Sequence, residues 1–587
     1  MASGAAPIAE LRPRVFSPRS LWLGSGLALA IAVAWKYAEV SPQLLFNRGT
    51  LHDLAQFSAQ SMPPDLSLSF LGTAARAAFL TIATAIASTV LSILLGIPLG
   101  MLACSSLWRS GAVAASSGDG WRYRVLNLTS ISVRSILGFL RAVPDLMWAL
   151  LLVAALGLGP LAGTIALAIS YTGVLGRVYA DVFDAVESKP VEALLSTGAT
   201  RVQIFIAAVW PQALPNMTAY TLYSFECCVR AAAVLGFVGA GGIGYEINLS
   251  MRLFDYRQVS TLLLAFILIL WLTDLTSRSL RRFLSGGWTP RRASFKVMAS
   301  LDKQDVPQAQ ENRERSRWGV PAVLAVCGCA VLISFYVSGF LGLVEQGALQ
   351  IPQELFDFGR RLVPLDFHPI FLATLWLPIV QTLAICLIGT LLGVLFGGPL
   401  ALFGTSRLVL PSSDEPDQRS WISLAVRYAT YWGSRAILGV LRSIPELVWA
   451  LLCIIAIGVG PFAGTIALGL HTAGVLGKLY ADTMEEVRMQ PVEALRALGA
   501  SPLQMLLWAI WPQTKQLMAG YTVLRWDMNL RAATILGLVG GGGLGQAMYN
   551  NVQLGFYPQV ATLILVIYVL VMATDWVGTR IWTAMPQ

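Results

Sequence analysis

Residues 77–104 and 372–406 contain no charged side chain, and several other stretches of the chain are nearly as apolar. A helix needs about 20 apolar residues to cross the hydrocarbon core of a bilayer, and these runs reach or exceed that length. Only 12% of the 587 residues are charged, 56% are hydrophobic, and the mean hydropathy is +0.65. Soluble domains carry about 25% charged residues, so a water-soluble fold could not cover its surface from this composition. The abundant glycine (53) and tryptophan (18) suit helix packing in lipid and anchoring at its interfaces. A disordered chain, a secreted disulfide scaffold and a soluble enzyme are excluded.

The net charge of +9 does not indicate nucleic-acid binding, because the basic residues lie between apolar runs and not on one amphipathic face. The cysteines Cys104, Cys227, Cys228, Cys327, Cys329, Cys386 and Cys453 show no metal or disulfide spacing. His52, His368 and His471 are scattered, so no metal site and no catalytic constellation is expected. Arg12, Arg14 and Arg19 precede an apolar stretch from about Leu21 to Trp35, which reads either as a signal peptide or as an uncleaved first helix. The helix count below favours the helix.

The chain is one unit written twice. Leu140-Arg-Ala-Val-Pro-Asp-Leu-Met-Trp returns as Leu441-Arg-Ser-Ile-Pro-Glu-Leu-Val-Trp, Pro190-Val-Glu-Ala-Leu returns at Pro491, and Trp210-Pro-Gln returns at Trp511, always 301 positions later. The division expected is a first repeat over 1–284 (core about 70–282), a charged cytoplasmic linker over 285–317, and a second repeat over 318–587 (core about 372–582). Each repeat predicts six spanning helices, about twelve in all. In the first they fall near 20–37, 71–104, 131–157, 160–186, 203–236 and 257–282. In the second they fall near 319–343, 372–406, 430–458, 461–487, 504–537 and 557–582. The loops at 105–130 (Arg109, Arg122, Arg124) and 405–430 (Arg407, Arg419, Arg427) are basic, whereas 38–70 (Glu39, Asp53, Asp65) and 344–370 (Glu345, Glu354, Asp357, Asp366) carry many acids. The positive-inside rule then puts both termini in the cytoplasm. The repeats take the same orientation and are expected to be related by a pseudo-two-fold axis along the membrane normal.

Three features carry chemistry. A polar segment follows the fourth helix of each repeat, with Glu192, Ala193 and Gly198 in one copy and Glu493, Ala494 and Gly499 in the other. Proline at the start, glutamate in the first turn and glycine at the end describe a short capped helix, either an interfacial helix or a docking helix. A glycine-rich stretch follows the fifth helix, with Gly239, Gly241, Gly242 and Gly244 repeated as Gly540, Gly542, Gly543 and Gly545. It satisfies a dinucleotide fingerprint formally, but no strand precedes it. It is either a tight turn at the outer face or a set of backbone amides for gating or anion contact. Third, charges fall within apolar helices, where they are expensive. Arg141 and Asp145 stand four apart, as do Glu226 and Arg230, and the second repeat has Arg442 with Glu446 and Asp527 with Arg531. As i,i+4 pairs on one helix they are either structural pairs or the lining and gate of a path for an anion. Asp181, Asp482, Asp274 and Asp575, nearer the cytoplasmic ends, read as solvated.

Glu192-Ala193 with Gly198, and a proline near twenty residues on, resembles the EAA loop of ABC-importer permeases, although Leu194 and Leu495 stand where a second alanine is usual. The resemblance implies that these helices are coupling helices seated in a groove of an ATPase. Arg-x-x-Pro-Asp/Glu, Pro-Val-Glu-Ala-Leu and Arg-Ala-Ala-x-x-Leu-Gly-x-Val-Gly-x-Gly-Gly-Ile/Leu-Gly together look like the phosphonate-importer permeases (PhnE-type), here two units fused. That resemblance implies an all-α type I (MetI-like) importer fold in the bacterial inner membrane. It further implies two separate ATPase subunits that bind ATP and Mg, and an extracytoplasmic binding protein delivering phosphonate, phosphite or phosphate. No Gly-x-x-x-x-Gly-Lys-Ser/Thr loop occurs in this sequence, so no nucleotide cofactor and no enzyme activity are expected of the chain itself. An ion-coupled secondary transporter of small anions is the alternative.

Overall fold

A computed structural model describes residues 18–45, 47–105, 120–287, 325–340, 350–410 and 421–584. The expected linker, apart from residues up to Gly287, and loop positions such as Arg109, Glu345 and Arg419 lie outside the described residues. Among the described residues every regular element is helical. In lipid this is the expected outcome, because a helix satisfies its own backbone groups.

The first repeat supplies α1 (Pro18–Tyr37), α2 (Arg48–Ser61), α3 (Leu68–Ala103), α4 (Gly120–Ala142), α5 (Asp145–Leu156), α6 (Pro160–Asp184), α7 (Ser188–Ser196), α8 (Trp210–Leu235), α9 (Ile243–Arg252) and α10 (Tyr256–Gly287). The second supplies α11 (Ala325–Val337), α12 (Gln350–Leu362), α13 (Trp376–Phe403), α14 (Trp421–Ser443), α15 (Glu446–Ile457), α16 (Pro461–Glu485), α17 (Met489–Ala497), α18 (Trp511–Gly537), α19 (Gly543–Gln553) and α20 (Tyr557–Ala584). Helix is found at each of the twelve expected positions where its residues are described, and the chain is a multi-pass membrane protein. Among the described residues seven helices are long and apolar enough to cross a membrane, or nine if each of two bent pairs is one span. α1 and α11 contribute only shorter apolar helices, Ala28–Tyr37 and Ala325–Val337. α18 is long enough but carries Lys515, Arg525, Asp527 and Arg531.

The expected continuous spans at 131–157 and 430–458 are corrected. Each is broken, by 85° between α4 and α5 and by 94° between α14 and α15. Pro144 and Pro445 cause the breaks, since proline removes a donor and drives the preceding residue out of helical geometry. A break exposes carbonyls that lipid cannot satisfy. Trp148 Nε1 donates to the Leu140 carbonyl at 3.3 Å, and Trp449 Nε1 repeats this on Leu441 at 3.2 Å.

The described residues group into two compact units whose boundaries differ from those of the sequence repeats. One is built from Leu54–Asp366 and Tyr549–Ala573, the other from Met1–Asp53, Phe367–Met548 and Thr574–Gln587. In the latter, α1 packs on α13 through Ala34 and Ala38 against Ala384 and Ile388, so the first helix joins the core of the second repeat. In the former, Phe358 of α12 meets Tyr557 edge to face at 5.2 Å.

Each unit is centred on a close helix pair, α3 with α6 and α13 with α16. Small residues recur every fourth position along the contact, Ser88, Ser92, Gly96 and Gly100 in α3, and Gly389, Gly393 and Gly397 in α13. Their backbones approach so closely that a Cβ on Gly397 would sit 2.6 Å from the Ala473 carbonyl oxygen. Ser88 and Ser92 donate across the seam to the carbonyls of Thr164 and Ala168 at 3.0 and 3.1 Å. Such stripes let helices associate in lipid by dispersion and hydrogen bonding, where no hydrophobic force acts between them. Gly397→Val is expected to cost about 1–3 kcal/mol by overpacking. A thermal-unfolding scan in detergent should show a lowered transition, whereas Gly398→Val, at a position with open space around it, should leave the transition in place.

Candidate functional site

The polar segment folds as expected. α7 and α17 expose Glu192, Ala193, Glu493 and Ala494, while Val492 is buried and Val191 partly so. Gly198 and Gly499 end these helices at φ +78 and +76, where a side chain would be strained. The Gly198 N–H donates to Leu195 O and the Ala199 N–H to Leu194 O, at 3.1 and 3.3 Å. Thr200 and Ser501 then open the next turn with capping boxes to Gln203 and Gln504.

Two devices around these helices escaped the sequence reading. Phe205–Val209 and Leu506–Ile510 are π-helical turns leading into α8 and α18. Directly after each, the glutamine of Trp-Pro-Gln ties two elements together. Gln212 Nε2 donates to Ala208 O at 2.8 Å, and its Oε1 accepts from the Glu187 N–H at 3.3 Å. Gln513 repeats this on Ala509 O at 2.7 Å and the Arg488 N–H at 3.2 Å. Glu187 and Arg488 are the N-cap residues of α7 and α17, so one carboxamide joins the start of each exposed helix to the following long helix. The repetition of Trp-Pro-Gln was the available signal.

The second device is an arginine clamp. Arg134 donates through Nε to Ala103 O at 2.8 Å and pairs with Asp184 at 2.6 Å and Asp181 at 3.4 Å. Arg435 donates to Gly404 O at 2.9 Å and pairs with Asp482 and Glu485, each at 2.8 Å. Reading Asp181 and Asp482 as merely solvated is therefore corrected. Through Arg134 and Arg435 they tie the ends of α3 and α6, and of their counterparts, to the middle of α4 and α14, just before the exposed helices.

The paired charges divide into two kinds. Glu226 and Arg230 form the expected i,i+4 pair in α8 at 3.0 Å, and Asp527 and Arg531 pair in α18. Arg230 and Arg531 each keep a buried Nε without a hydrogen-bond partner among the described residues. An N–H left in this state costs free energy until an acceptor arrives. Arg141 and Asp145 do not share one helix. Arg141 lies in the last turn of α4 and Asp145 opens α5, and Arg442 and Glu446 flank the second break in the same way. Helical i,i+4 geometry does not apply to either pair. The sequence left His471 without a role, but its Nε2 lies 3.7 Å from Glu446 Oε2 and its Nδ1 3.0 Å from the Ile444 carbonyl.

The glycine-rich stretches form tight turns. Gly239, Gly241 and Gly242 have φ of +97, +78 and +76, and Gly540, Gly542 and Gly543 have +99, +78 and +73. Gly244 and Gly545 are helical, but a Cβ there would lie 1.9 and 1.8 Å from the carbonyl oxygens of Ala233 and Thr534. The helices that follow start against α3 and α13, where Thr81 Oγ1 accepts from the Ile243 N–H and Thr382 Oγ1 from the Leu544 N–H, both at 2.9 Å. The N-terminal amides at Ile243 and Leu544 are thus occupied within the protein.

The family described as binding-protein-dependent transport system inner membrane component matches residues 110–289 and 422–582. The chain belongs to this family, which occurs in it twice. It is 30% identical over 85% of its length to the phosphate-import permease protein PhnE of Mycolicibacterium smegmatis, covering 84% of that protein. It is 36% identical over 34% of its length to the phosphite transport system permease protein PtxC of Stutzerimonas stutzeri, covering 66% of it. Among solved structures, an inward-facing form of the MetNI methionine ABC transporter aligns with 38% of the chain at 22% identity and a TM-score of 0.32. By the family match the fold class is that of a fused ABC-importer permease, and every regular element among the described residues is helical.

The glutamine brace gives a direct expectation. Gln212→Leu with Gln513→Leu should leave the membrane helices folded but raise amide hydrogen exchange across residues 187–196 and 488–497 at least tenfold, read by mass spectrometry. Unchanged exchange there would show that the carboxamides do not restrain these helices.

Proposed function

We propose that this chain is the membrane-spanning subunit of an ATP-driven importer of phosphorus oxyanions, lying in the bacterial inner membrane with both termini in the cytoplasm. The observation that carries the reading is the pair of exposed, glycine-terminated helices α7 and α17, each joined to the long helix that follows it. The names of the permeases to which the chain is similar, for phosphate and phosphite, support the substrate class.

In this reading Glu192, Ala193 and Gly198, with Glu493, Ala494 and Gly499, dock two separate ATPase subunits, one on each exposed helix. Small residues allow close approach, and each glutamate offers a fixed charge to a basic partner. ATP and Mg belong to those subunits. An extracytoplasmic binding protein presents the anion. ATP binding draws the docking helices together, and hydrolysis resets them. The glutamine braces and arginine clamps carry that displacement into α8, α6 and their counterparts as rigid motion. Arg230 and Arg531, whose Nε groups lack acceptors among the described residues, meet the anion in passage. Arg141, Asp145, Arg442 and Glu446 sit at the helix breaks, where a change of bend would open or close a path. The glycine turns allow the tight reversals that such movement requires.

Reconstitution with ATPase and binding protein in proteoliposomes should give uptake that depends on ATP. Charge reversal at both docking helices, Glu192→Arg with Glu493→Arg, should reduce uptake at least tenfold. Intact uptake in that variant would remove the docking assignment, and uptake driven by an ion gradient without ATP would favour a secondary transporter. Arg230→Ala with Arg531→Ala should impair uptake more than either change alone. Normal uptake in the double variant would leave these arginines as structural pairs only.

A further inference from the structure

A cleft of about 320 Å³ lies between α18 and α20, within the unit built from Met1–Asp53, Phe367–Met548 and Thr574–Gln587. Two carboxylates line it, Asp527 of α18 and Asp575 of α20, with Tyr521, Val523 and Thr579 beside them. Asp527 is buried and bonds to Arg531 and Thr574, so it marks the inner end. Asp575 is half-buried, and Leu524 and Thr579 at the mouth are exposed. The cleft is therefore open on one side.

The first repeat holds a cation at the equivalent place. Asp274 is the counterpart of Asp575, and Arg278, one turn on, pairs with it. Ser277 beside that arginine donates to the Leu222 carbonyl at 3.2 Å and so joins α10 to α8. In the second repeat Thr579 stands at the arginine position and Gly578 at the serine position, and Gly520 stands where α8 has Ala219. The aspartate is common to both repeats, the three side chains around it are smaller in the second, and the cleft lies where they are smaller. Packing does not require the glycine, because a Cβ on Gly578 would meet Val523 Cγ1 at 3.5 Å, an ordinary contact. The Thr579 hydroxyl donates to the backbone carbonyl of Asp575 at 2.8 Å and brings no charge.

Depth identifies the surroundings. Asp575 stands 18 residues after Tyr557, the first residue of α20, roughly 27 Å along the helix at 1.5 Å per residue. The hydrocarbon core is about 30 Å thick, so this carboxylate falls near headgroup level in the leaflet where α20 ends. Trp576 is exposed beside it, and Arg580 stacks over the indole at 5.3 Å, an amphipathic pair suited to that level.

We propose that this cleft binds a primary ammonium group, supplied by the ethanolamine headgroup of a phospholipid. The ammonium takes the place beside Asp575 that the Arg278 guanidinium takes beside Asp274. It carries three N–H donors for the carboxylate and the hydroxyls near it, whereas the quaternary nitrogen of choline carries none. A bound metal ion fits less well, since no group of three or more His, Cys, Asp or Glu able to hold one occurs among the described residues. The carbon of the lipid lies along Val523 and Leu524, and the open side of the cleft gives the lipid its entry. The proposal goes beyond the importer reading and needs only that α20 lies in a bilayer.

The test measures lipid retention by the full chain in detergent, read by native mass spectrometry. Phosphatidylethanolamine and phosphatidylcholine with the same acyl chains are offered at equal concentration. Wild type should retain the ethanolamine lipid about tenfold more, the scale of one hydrogen-bonded charge pair. Asp575→Asn should remove that preference. Gly578→Ser with Thr579→Arg gives the second repeat the first repeat's own cation, and it should also remove the preference while keeping both carboxylates and the thermal transition of wild type. This second variant keeps the test decisive should Asp575→Asn fail to fold. Equal retention of the two lipids by wild type, or an undiminished preference in either folded variant, would overturn the site. Displacement of the bound lipid by an equal concentration of free ethanolamine would overturn the lipid as the source of the ammonium. None of these outcomes bears on whether the chain transports an anion.

Discussion

A backbone group that leaves its helix inside a bilayer has no water to turn to, and the architecture of this chain follows from how that demand is met. Where proline breaks α4 from α5 and α14 from α15, Trp148 and Trp449 cover an exposed carbonyl. Where glycine turns restart a helix, Thr81 and Thr382 accept from its first amides. Where a π-turn precedes α8 or α18, Gln212 and Gln513 bond to it and to the exposed helix. Each departure from regular helix is matched by one polar side chain, and each match occurs at the same place in both repeats. Among the described residues irregular backbone is thereby confined to a few points, and those points coincide with the exposed helices, the breaks and the glycine turns.

The same matches tie the two exposed helices to the body of the chain. A nine-residue helix with few inward contacts would otherwise be held by chain alone. Its N-terminus is held by the glutamine on α8, and its C-terminus runs through a capping box into the π-turn. The Arg134 and Arg435 clamps tie the ends of two neighbouring helices to the middle of a third beside it. The clamps are only partly exposed and bind backbone as well as carboxylate, which sets them apart from surface ion pairs worth little on their own.

The two repeats differ at several polar positions. Asn529 bonds to Thr390 and Thr472 in a buried polar network, while its counterpart Cys228 is apolar in character, with its thiol 3.7 Å from the Ala85 carbonyl. His471 faces Glu446, whereas the counterpart of the histidine is Ser170. Arg252 is matched by Gln553. The seams of small residues, the braces and the clamps are retained in both copies, because each unit must pack by itself.

The duplication, the positions of the helices, and the exposed, glycine-terminated helices were legible in the residues, because period, caps and proline act over a few neighbours along the chain. The Glu226–Arg230 and Asp527–Arg531 pairs were legible for the same reason. The right-angle breaks, the transfer of α1 into the core of the second repeat, the role of Asp181 and Asp482, and the carboxamide braces were not. Arg134 meets a carboxylate fifty positions away, and Ala34 packs on Ala384, so nothing local announces either contact. Local chemistry thus settled which segments are helices and where they end. Which helices share a core, and which charges meet, was decided only in three dimensions, because in lipid those choices rest on close fit and on directional hydrogen bonds between residues far apart in the chain.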